Sequence, residues 1–360
     1  MLRAIDERGK DVMEMTSIFD NVSPWLKTEL IESYGEEKAT FIVESAMNAP
    51  PIFLSVNRPS GADDNAQKDF VTFVSEEISA RPGEAKILPH GSIRVPSRMY
   101  GSITKWPLYN EGDWWVQDAA AAVPAIALYK ELCSNKEDNS PCDVSDLNVV
   151  DLCSAPGGKT AQLCSFGFGG VTAVEISARR IKPLKENLER LGMADKVQII
   201  VADGTEWTPP PESDFSNNGK FDGVLVDAPC SATGTGSRRP DVLRKPRSGI
   251  DELLQTQRDL IVNTVDNLLA PGGVMVYATC SLLKSESEDQ MKWLLSRNEE
   301  EERGSGTAAQ METIPFQPGE IPGFDDAIDE NGWLRVIPGC LPEFLSDCDG
   351  FFVAKLRKRM

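Results

Sequence analysis

Apolar residues recur through the first hundred positions at helical and strand spacings. Trp25, Leu26, Leu30, Ile31 and Tyr34 follow the 3.6-residue period of a helix opened by Pro24 and stopped at Gly35. A second helix runs over 36–47, with Phe41, Ile42 and Val43 toward a core, until Pro50-Pro51 ends it. Residues 52–57 read as a strand, and 66–78 as a helix with Phe70, Phe73 and Val74 on one face. Short strands follow at 86–88 and 92–95, so residues 1–110 form a small α+β unit.

Between 106 and 118 the pattern changes. Trp106, Tyr109, Trp114 and Trp115 crowd into what reads as a loop, either a packing plug between domains or a stacking surface for a base. An alanine-rich helix over 119–132 and a polar surface loop over 133–147 complete a linking segment, 111–147. Near-continuous apolar runs then recur at 148–153, 171–175, 197–204, 221–230 and 274–281, the last entered by a turn at Pro271-Gly272-Gly273. Amphipathic helices over 177–191 and 250–269 alternate with them, which means a parallel sheet covered on both faces. The proline-rich 208–220 is expected as an exposed insertion, and 299–330 as an acidic connection. Residues 334–337 and 351–356 suit an antiparallel hairpin at the sheet edge. The fold class is α/β, a doubly wound Rossmann-like sheet over 148–360 with an antiparallel C-terminal edge.

The 360 residues, 41% apolar and 26% charged, fit a globular chain of two domains. No run of about 18 apolar residues exists, so no membrane span is expected. The first seven residues lack the apolar core of a secretory signal. Eight cysteines without a C-x-x-C pair read as reduced thiols of an intracellular, cytoplasmic protein, with an organelle or nucleolus as alternatives. With His90 as the single histidine, a zinc site or a histidine-dependent nucleophile is hard to build, and no metal is expected. The net charge of -19 argues on its face against nucleic acid. Charge is segregated, however. Acids gather at 299–302 and 325–326; bases gather at Arg238, Arg239, Arg244, Lys245 and Arg247, and again over 355–359. Each basic group is either a solvated face or a phosphate-binding one.

The chemistry centres on Asp151-Leu152-Cys153-Ser154-Ala155-Pro156-Gly157-Gly158-Lys159-Thr160, a strand, tight turn and helix. It is not a phosphate loop, because Cys153 stands where that pattern needs its first glycine, and it is not G-x-G-x-x-G. Glu175, Asp203 and Asp227 end further strands. Glu175 suits a ribose diol and Asp203 the exocyclic amine of adenine, although each alone is also what a helix cap requires. Together they describe a nucleoside site without a pyrophosphate turn, hence S-adenosylmethionine. Cys230, after Asp227-Ala228-Pro229, and Cys280, after Ala278-Thr279, follow two apolar strands. If those strands are neighbours, about 5 Å apart, both thiols face one bound ring. A buried structural role is kept for Cys133, Cys142, Cys164, Cys340 and Cys348.

The 151–160 turn, Asp227-Ala228-Pro229-Cys230-Ser231 and Thr279-Cys280-Ser281 resemble the signature motifs of the RNA cytosine-5 methyltransferases of the Sun/RsmB and nucleolar-protein type. Gln117-Asp118, Arg239-Pro240-Asp241 and Asp349-Gly350-Phe351-Phe352 extend the resemblance over about 20–358, nearest the bacterial ribosomal-RNA branch. It departs at Ser55-Val56-Asn57, where the family often has Arg-x-Asn, and at Ser154, where alanine is usual. The resemblance implies a class I methyltransferase domain over 148–360, preceded by an RNA-binding unit. It implies a monomeric enzyme acting on RNA, ribosomal RNA first. Cys280 would be the nucleophile, Cys230 the thiol that assists release, and Asp227 the group on the N3/N4 edge of cytosine. S-adenosylmethionine would lie on Cys153, Ser154, Ala155, Pro156, Gly157, Gly158, Lys159, Glu175, Arg180, Asp203 and Asp227. The five bases over 238–247 would meet RNA phosphates. A transfer-RNA substrate, exchanged cysteine roles, and a non-catalytic ribosome-assembly factor are the competing readings.

Overall fold

The computed structural model describes residues 17–57, 64–79, 85–96, 101–134, 142–210, 212, 216, 218–302 and 310–360. Gly35, at φ 79° and ψ 162°, bends a single element, α1 (Pro24–Ser45), where two helices were expected. Its inward face is Leu26, Leu30, Ala39, Ile42 and Val43, which packs on Val242, Leu243, Leu282 and Leu283. Phe41, expected inside, is exposed, because Ala39, Ile42 and Val43 already fill that arc of the helix.

Strand β1 (Ile52–Val56), helix α2 (Asp64–Ser79) and strands β2 (Lys86–Ile87), β3 (Ile93–Val95) and β4 (Trp114–Val116) make the small unit. Its sheet runs β2-β3-β1-β4, antiparallel throughout. On α2 the core face is Val71, Val74 and Ile78, so Phe73 points out instead of in. The aromatic segment is not all loop: Ser55 pairs with Trp115 and Val56 with Trp114. Successive residues of a strand face opposite sides. Trp114 therefore joins Leu54, Val74 and Ile93, while Trp115 joins Phe53, Ala119 and Val123. These tryptophans are core, as the packing reading had it.

Helix α3 (Ala119–Cys133) opens on Asp118, whose side chain accepts from Ala120 N–H at 2.9 Å. Cys133 at its end is joined to Cys142 in a disulfide, which corrects the expectation that all eight cysteines are reduced. The two Cα atoms stand 5.5 Å apart, a separation at which a bridge is geometrically possible. The polar loop expected there falls at 135–141 outside the described residues.

The large sheet follows: β5 (Asn148–Leu152), α4 (Gly158–Phe166), β6 (Gly170–Glu175), α5 (Ala178–Arg190), β7 (Val197–Val201), β8 (Phe221–Asp227), α6 (Ile250–Asn263), β9 (Leu269–Thr279), α7 (Glu288–Glu302), β10 (Met311–Ile314), β11 (Leu334–Val336) and β12 (Phe351–Lys358). The strand order is β10-β12-β9-β8-β5-β6-β7, with β11 also on β12. Strands β7, β6, β5, β8 and β9 are parallel. The chain winds outward from β5 to β7 and then crosses to β8, so the switch point lies between β5 and β8, where such sheets bind ligands.

Three expectations change here. Pro271-Gly272-Gly273 is not a turn before the strand. Strand β9 already pairs at Leu269 with Phe221 and absorbs the glycines as an irregularity before Val274 meets Gly223. The acidic connection expected over 299–330 contains the end of α7 and the strand β10, whose short apolar patterns are masked by flanking charge. The late strands do pair antiparallel at this side of the sheet, β11 on β12, but β12 is not outermost: it lies between β9 and β10. Its basic residues are internal, with Lys355 Nζ 2.5 Å from Glu320 and 3.3 Å from Glu131, and Arg357 2.5 Å from Glu131. The second basic cluster is therefore largely spent on the fold. Among the described residues no helix is long and apolar enough to cross a membrane.

Candidate active site

The turn after β5 is shaped by its backbone. Cys153 takes φ 62° and Gly157 φ 101°, and the Ala155–Pro156 peptide is cis. A Cβ on Gly157 would sit 3.1 Å from Leu184 of α5, so a left-handed glycine is needed for the turn to close on that helix. Ser154 N–H and hydroxyl both donate to Val174 O, at 3.1 and 3.2 Å, which pins the turn to β6. Cys153 is a backbone element here: burial pushes its thiol far above the usual range, helped by Asp227 and Glu175.

Glu175, fully buried at the end of β6, accepts from Ser177 N–H at 2.9 Å and Ala155 N–H at 3.3 Å. Arg180 stands 3.1 Å from the same carboxylate and donates to Ala155 O at 2.5 Å. The structure thus brings together the turn, Glu175 and Arg180 as one cluster. Asp203 is more peripheral: it is exposed, and Oδ1 accepts from Thr205 N–H and hydroxyl at 2.9 and 2.7 Å, the bonding of a turn cap.

Across the switch point, Lys159 Nζ reaches Asp227 Oδ2 at 2.7 Å. Burial alone would lower the Lys159 pKa, but the Asp227 charge and hydrogen bond outweigh it and raise it. Asp151, beneath them, is completely buried; Thr160 donates to Oδ2 at 2.6 Å and Oδ1 has no donor among the described residues. Burial, opposed by that hydrogen bond and reinforced by Asp227, pushes its pKa up to about 7.

The two thiols meet as the adjacency of β8 and β9 requires. Asp227 lies in register with Ala278, and Cys230 Sγ is 3.5 Å from Cys280 Sγ. Cys230 and Cys280 are partly exposed at one edge of the sheet. The sulfurs differ in character. The hydrogen bond from Cys230 lowers the Cys280 pKa against burial, with Lys159 and Arg238 adding positive charge. The same bond, together with burial, raises Cys230 well above an ordinary thiol. Sequence reading named no group that activates Cys280; these three do, and only folding places them there.

The basic loop after Cys230 packs beside the thiols, with Gly234 N–H donating to Cys280 O at 3.0 Å. Its cations have local partners. Arg238 pairs with Asp349 and Arg244 bonds Asn21. Lys245 donates to Ser231 O at 3.3 Å, Arg239 lies 3.4 Å from Asp241, and Arg247 lies 3.8 Å from Asp251. Arg238 thus serves the thiol pair as much as any ligand. Glu286 was missed altogether: it is a buried carboxylate from the turn before α7, bonded to both Ser231 and Ser281. Its only sequence signal is an acid six residues after Cys280, the first of three with Glu288 and Asp289. Ser55, at the departure from Arg-x-Asn, lies buried in β1 away from this cluster and lines a cavity of about 470 Å³ with His90 and Trp115. Asn57 keeps a structural role, donating to Gly112 O at 3.2 Å and Leu191 O at 3.3 Å. No group of metal-ligating side chains occurs among the described residues.

This strand order, with a glycine turn at the switch point and an antiparallel edge, is a Rossmann-like methyltransferase fold. Two solved structures share it over nearly the whole chain. A methyltransferase homolog protein from Pyrococcus horikoshii superposes with TM-score 0.67 at 23% identity, covering 95% of this chain and 98% of that one. NSun6 from Pyrococcus horikoshii, solved with SFG, gives TM-score 0.70 at 16% identity, covering 95% and 100%. Residues 143–357 match the model of the 16S rRNA methyltransferase RsmB/F family, and the chain belongs to that family. Among its relatives is the ribosomal RNA small subunit methyltransferase F of Cronobacter sakazakii, 35% identical over 252 residues, or 69% of this chain and 45% of that protein. The Klebsiella pneumoniae protein of the same name is 34% identical over 336 residues, 88% of this chain and 65% of that protein. The chain spans about half to two thirds of these relatives' length.

Proposed function

We propose that this protein transfers a methyl group from S-adenosylmethionine to carbon 5 of a cytosine in small-subunit ribosomal RNA. The observation that carries the reading is the thiol pair: Cys230 and Cys280 with sulfurs 3.5 Å apart, beside Asp227 and Lys159, at the switch point of the sheet. The relatives' names supply the RNA class.

The residues around the turn fit an adenosyl group. Cys153, Ser154, Ala155, Pro156, Gly157, Gly158 and Lys159 make up the turn after β5 and the start of α4, and Glu175 and Arg180 both bond its Ala155. When bound, S-adenosylmethionine supplies an electrophilic methyl group. Asp203, on the neighbouring strand end, is the candidate for the adenine amine. Asp227, held by Lys159, faces the pyrimidine edge.

Carbon 5 of cytosine is too electron-poor to take a methyl group unaided. The Cys280 thiolate adds to carbon 6, forming a C–S bond and placing the electron pair on carbon 5. Asp227 and Lys159 are positioned to stabilise charge at N3 and N4. After methylation the carbon-5 proton passes to water at the partly exposed thiol edge, its electron pair re-forms the 5,6 double bond, and the C–S bond breaks to expel the Cys280 thiolate, with Cys230 assisting release. The positive charge of Lys159 and Arg238 acting on Cys280, and the negative charge of Glu286 acting on Cys230, favour this division of roles over its reverse. The target base must be unstacked to reach the thiols, and the exposed Arg239 and Arg247 are candidates to grip flanking phosphates.

The test is incubation with S-adenosylmethionine and ribosomal RNA carrying 5-fluorocytidine. Fluorine at carbon 5 blocks the elimination, so a covalent protein–RNA adduct should accumulate. Cys280→Ala should abolish the adduct and Cys230→Ala should keep it. The opposite pattern reverses the cysteine roles. No adduct with any RNA, together with no binding of S-adenosylmethionine, leaves an assembly factor.

A further inference from the structure

Glu286 lies in a short turn between β9 and α7 and is completely buried. Its carboxylate collects four donors. Ser231 N–H donates to Oε1 at 2.9 Å and Gln257 Nε2 to the same oxygen at 3.2 Å. The hydroxyls of Ser231 and Ser281 both donate to Oε2, each at 2.5 Å. Ser231 directly follows Cys230 and Ser281 directly follows Cys280. One carboxylate therefore grips the residue after each thiol.

The grip is itself anchored. Tyr277 hydroxyl donates to Glu286 O at 2.8 Å. The following Ser287 meets Thr279 hydroxyl to hydroxyl at 3.0 Å. Arg335 on β11 forks onto Glu288 at 3.0 and 2.6 Å and donates to Ser281 O at 2.6 Å. A buried carboxylate is costly unless its lone pairs are filled, and this one is filled by the two loops whose spacing matters for the proposed chemistry.

We propose that Glu286 is a positioning residue that fastens the Cys230 and Cys280 loops into one rigid unit and so holds the two sulfurs at hydrogen-bonding distance. It touches neither sulfur and acts through Ser231 and Ser281. Strand pairing between β8 and β9 ends at Asp227 and Ala278, two or three residues short of the thiols. Beyond that point the Glu286 bridge takes over from the backbone ladder. The proposal rests on the methyltransferase reading for its purpose, but its content concerns the thiol pair alone.

The full chain is tested without RNA. Phenylarsine oxide, a trivalent arsenical, is captured only by two close thiols. Mass mapping should place it on Cys230 and Cys280 in the wild type and lose it there in Cys230→Ala. Glu286→Gln keeps the volume but turns an amide toward Ser231 N–H and Gln257. It should weaken arsenical capture at this pair at least tenfold. It should also move the pH midpoint of Cys280 alkylation by iodoacetamide upward, with S-adenosylmethionine binding within about twofold of wild type. Ser231→Ala, which removes one donor without stranding a charge, should shift both readouts in the same direction by less. It supplies the result if the Gln variant does not fold. Unchanged capture and an unchanged midpoint in a folded variant overturn the proposal. Failure of the methyltransferase reading shows separately, as a wild type that couples its thiols but forms no adduct with fluorinated RNA.

Discussion

Lys159, one residue into α4, and Asp227, the last residue of β8, meet at 2.7 Å across the switch point. The pair joins the turn at 153–159 to the end of the strand that leads to Cys230 in a single contact. Lys159 also lies 5.3 Å from the Phe351 ring and adds its charge to those lowering Cys280. Lys159→Met should reduce single-turnover methyl transfer by about 100-fold, the usual scale for removing one preorganised electrostatic group. The rate should also become half-maximal at a higher pH, because less positive charge faces the thiolate. A rate–pH profile indistinguishable from wild type would remove Lys159 from the mechanism.

Gly234 and Gly350 pack backbone to backbone. Gly350 N–H donates to Gly234 O at 2.8 Å, and a Cβ on Gly234 would fall 2.1 Å from Gly350 O. Neither neighbour is a flexible side chain that could swing aside. Gly234→Ala should destabilise the protein by roughly 1–3 kcal/mol, as overpacking does. The lower midpoint should appear in urea unfolding, together with loss of RNA adduct formation as the loop carrying Cys230 shifts.

Lys355 is buried inside the sheet domain between Glu131 and Glu320, with Arg357 on the other side of Glu131. Removing one partner of a buried ion cluster strands the others. Lys355→Ala should cost about 3–5 kcal/mol, read from equilibrium unfolding, with no change in the dependence of RNA binding on salt. A shallower salt dependence would return this cluster to the RNA-contacting role that the sequence left open.

Asp151 should make stability fall as pH rises. Its folded pKa, about 7, stands above the ordinary carboxylate value, so the folded protein holds a proton that the unfolded chain releases. That contribution is complete below about pH 4 and is lost as pH rises through about 7. Relative to wild type, Asp151→Asn should therefore gain melting temperature from pH 5 to about pH 7 and level off by pH 8. A difference between the two proteins that stays constant over this range would show that Asp151 is ionised in the fold throughout.

The parallel strands were legible because each is a near-continuous apolar run, and three of them carry an acid at or next to their end, Asp151, Glu175 and Asp227. The turn at 153–159 was legible after the first of those runs, whereas the switch point was not, because it depends on the order of the strands in space. What escaped reading depended on partners distant in the chain. Phe41 and Phe73 look like core residues by type, yet the helical arc facing the core was already filled. Lys355 and Arg357 looked like a basic tail because Glu131 lies more than two hundred positions away. Glu286 had no pattern at all, since its meaning comes from Ser231, 55 positions earlier. The aromatic segment offered two readings, and strand pairing with β1 favoured packing. Thiol adjacency was legible, but the inequality of the two sulfurs required Lys159 and Arg238 to be placed in space.

The position of β12 has a further consequence for how the protein comes into being. Strand β9 delivers Cys280, and its outer neighbour is β12, from Ala278 opposite Val353 to Val274 opposite Arg357. That neighbour is made about 70 residues later than the strand it completes. During synthesis the turn at 153–159, both thiols and Glu286 therefore all exist before the sheet that supports them can close. Until β12 arrives, β9 presents an open, apolar edge, the kind of edge that recruits other chains. A ribosome-bound chain stalled before residue 351 should accordingly bind chaperone while remaining inert toward RNA, and maturation of the site should coincide with insertion of this one late strand.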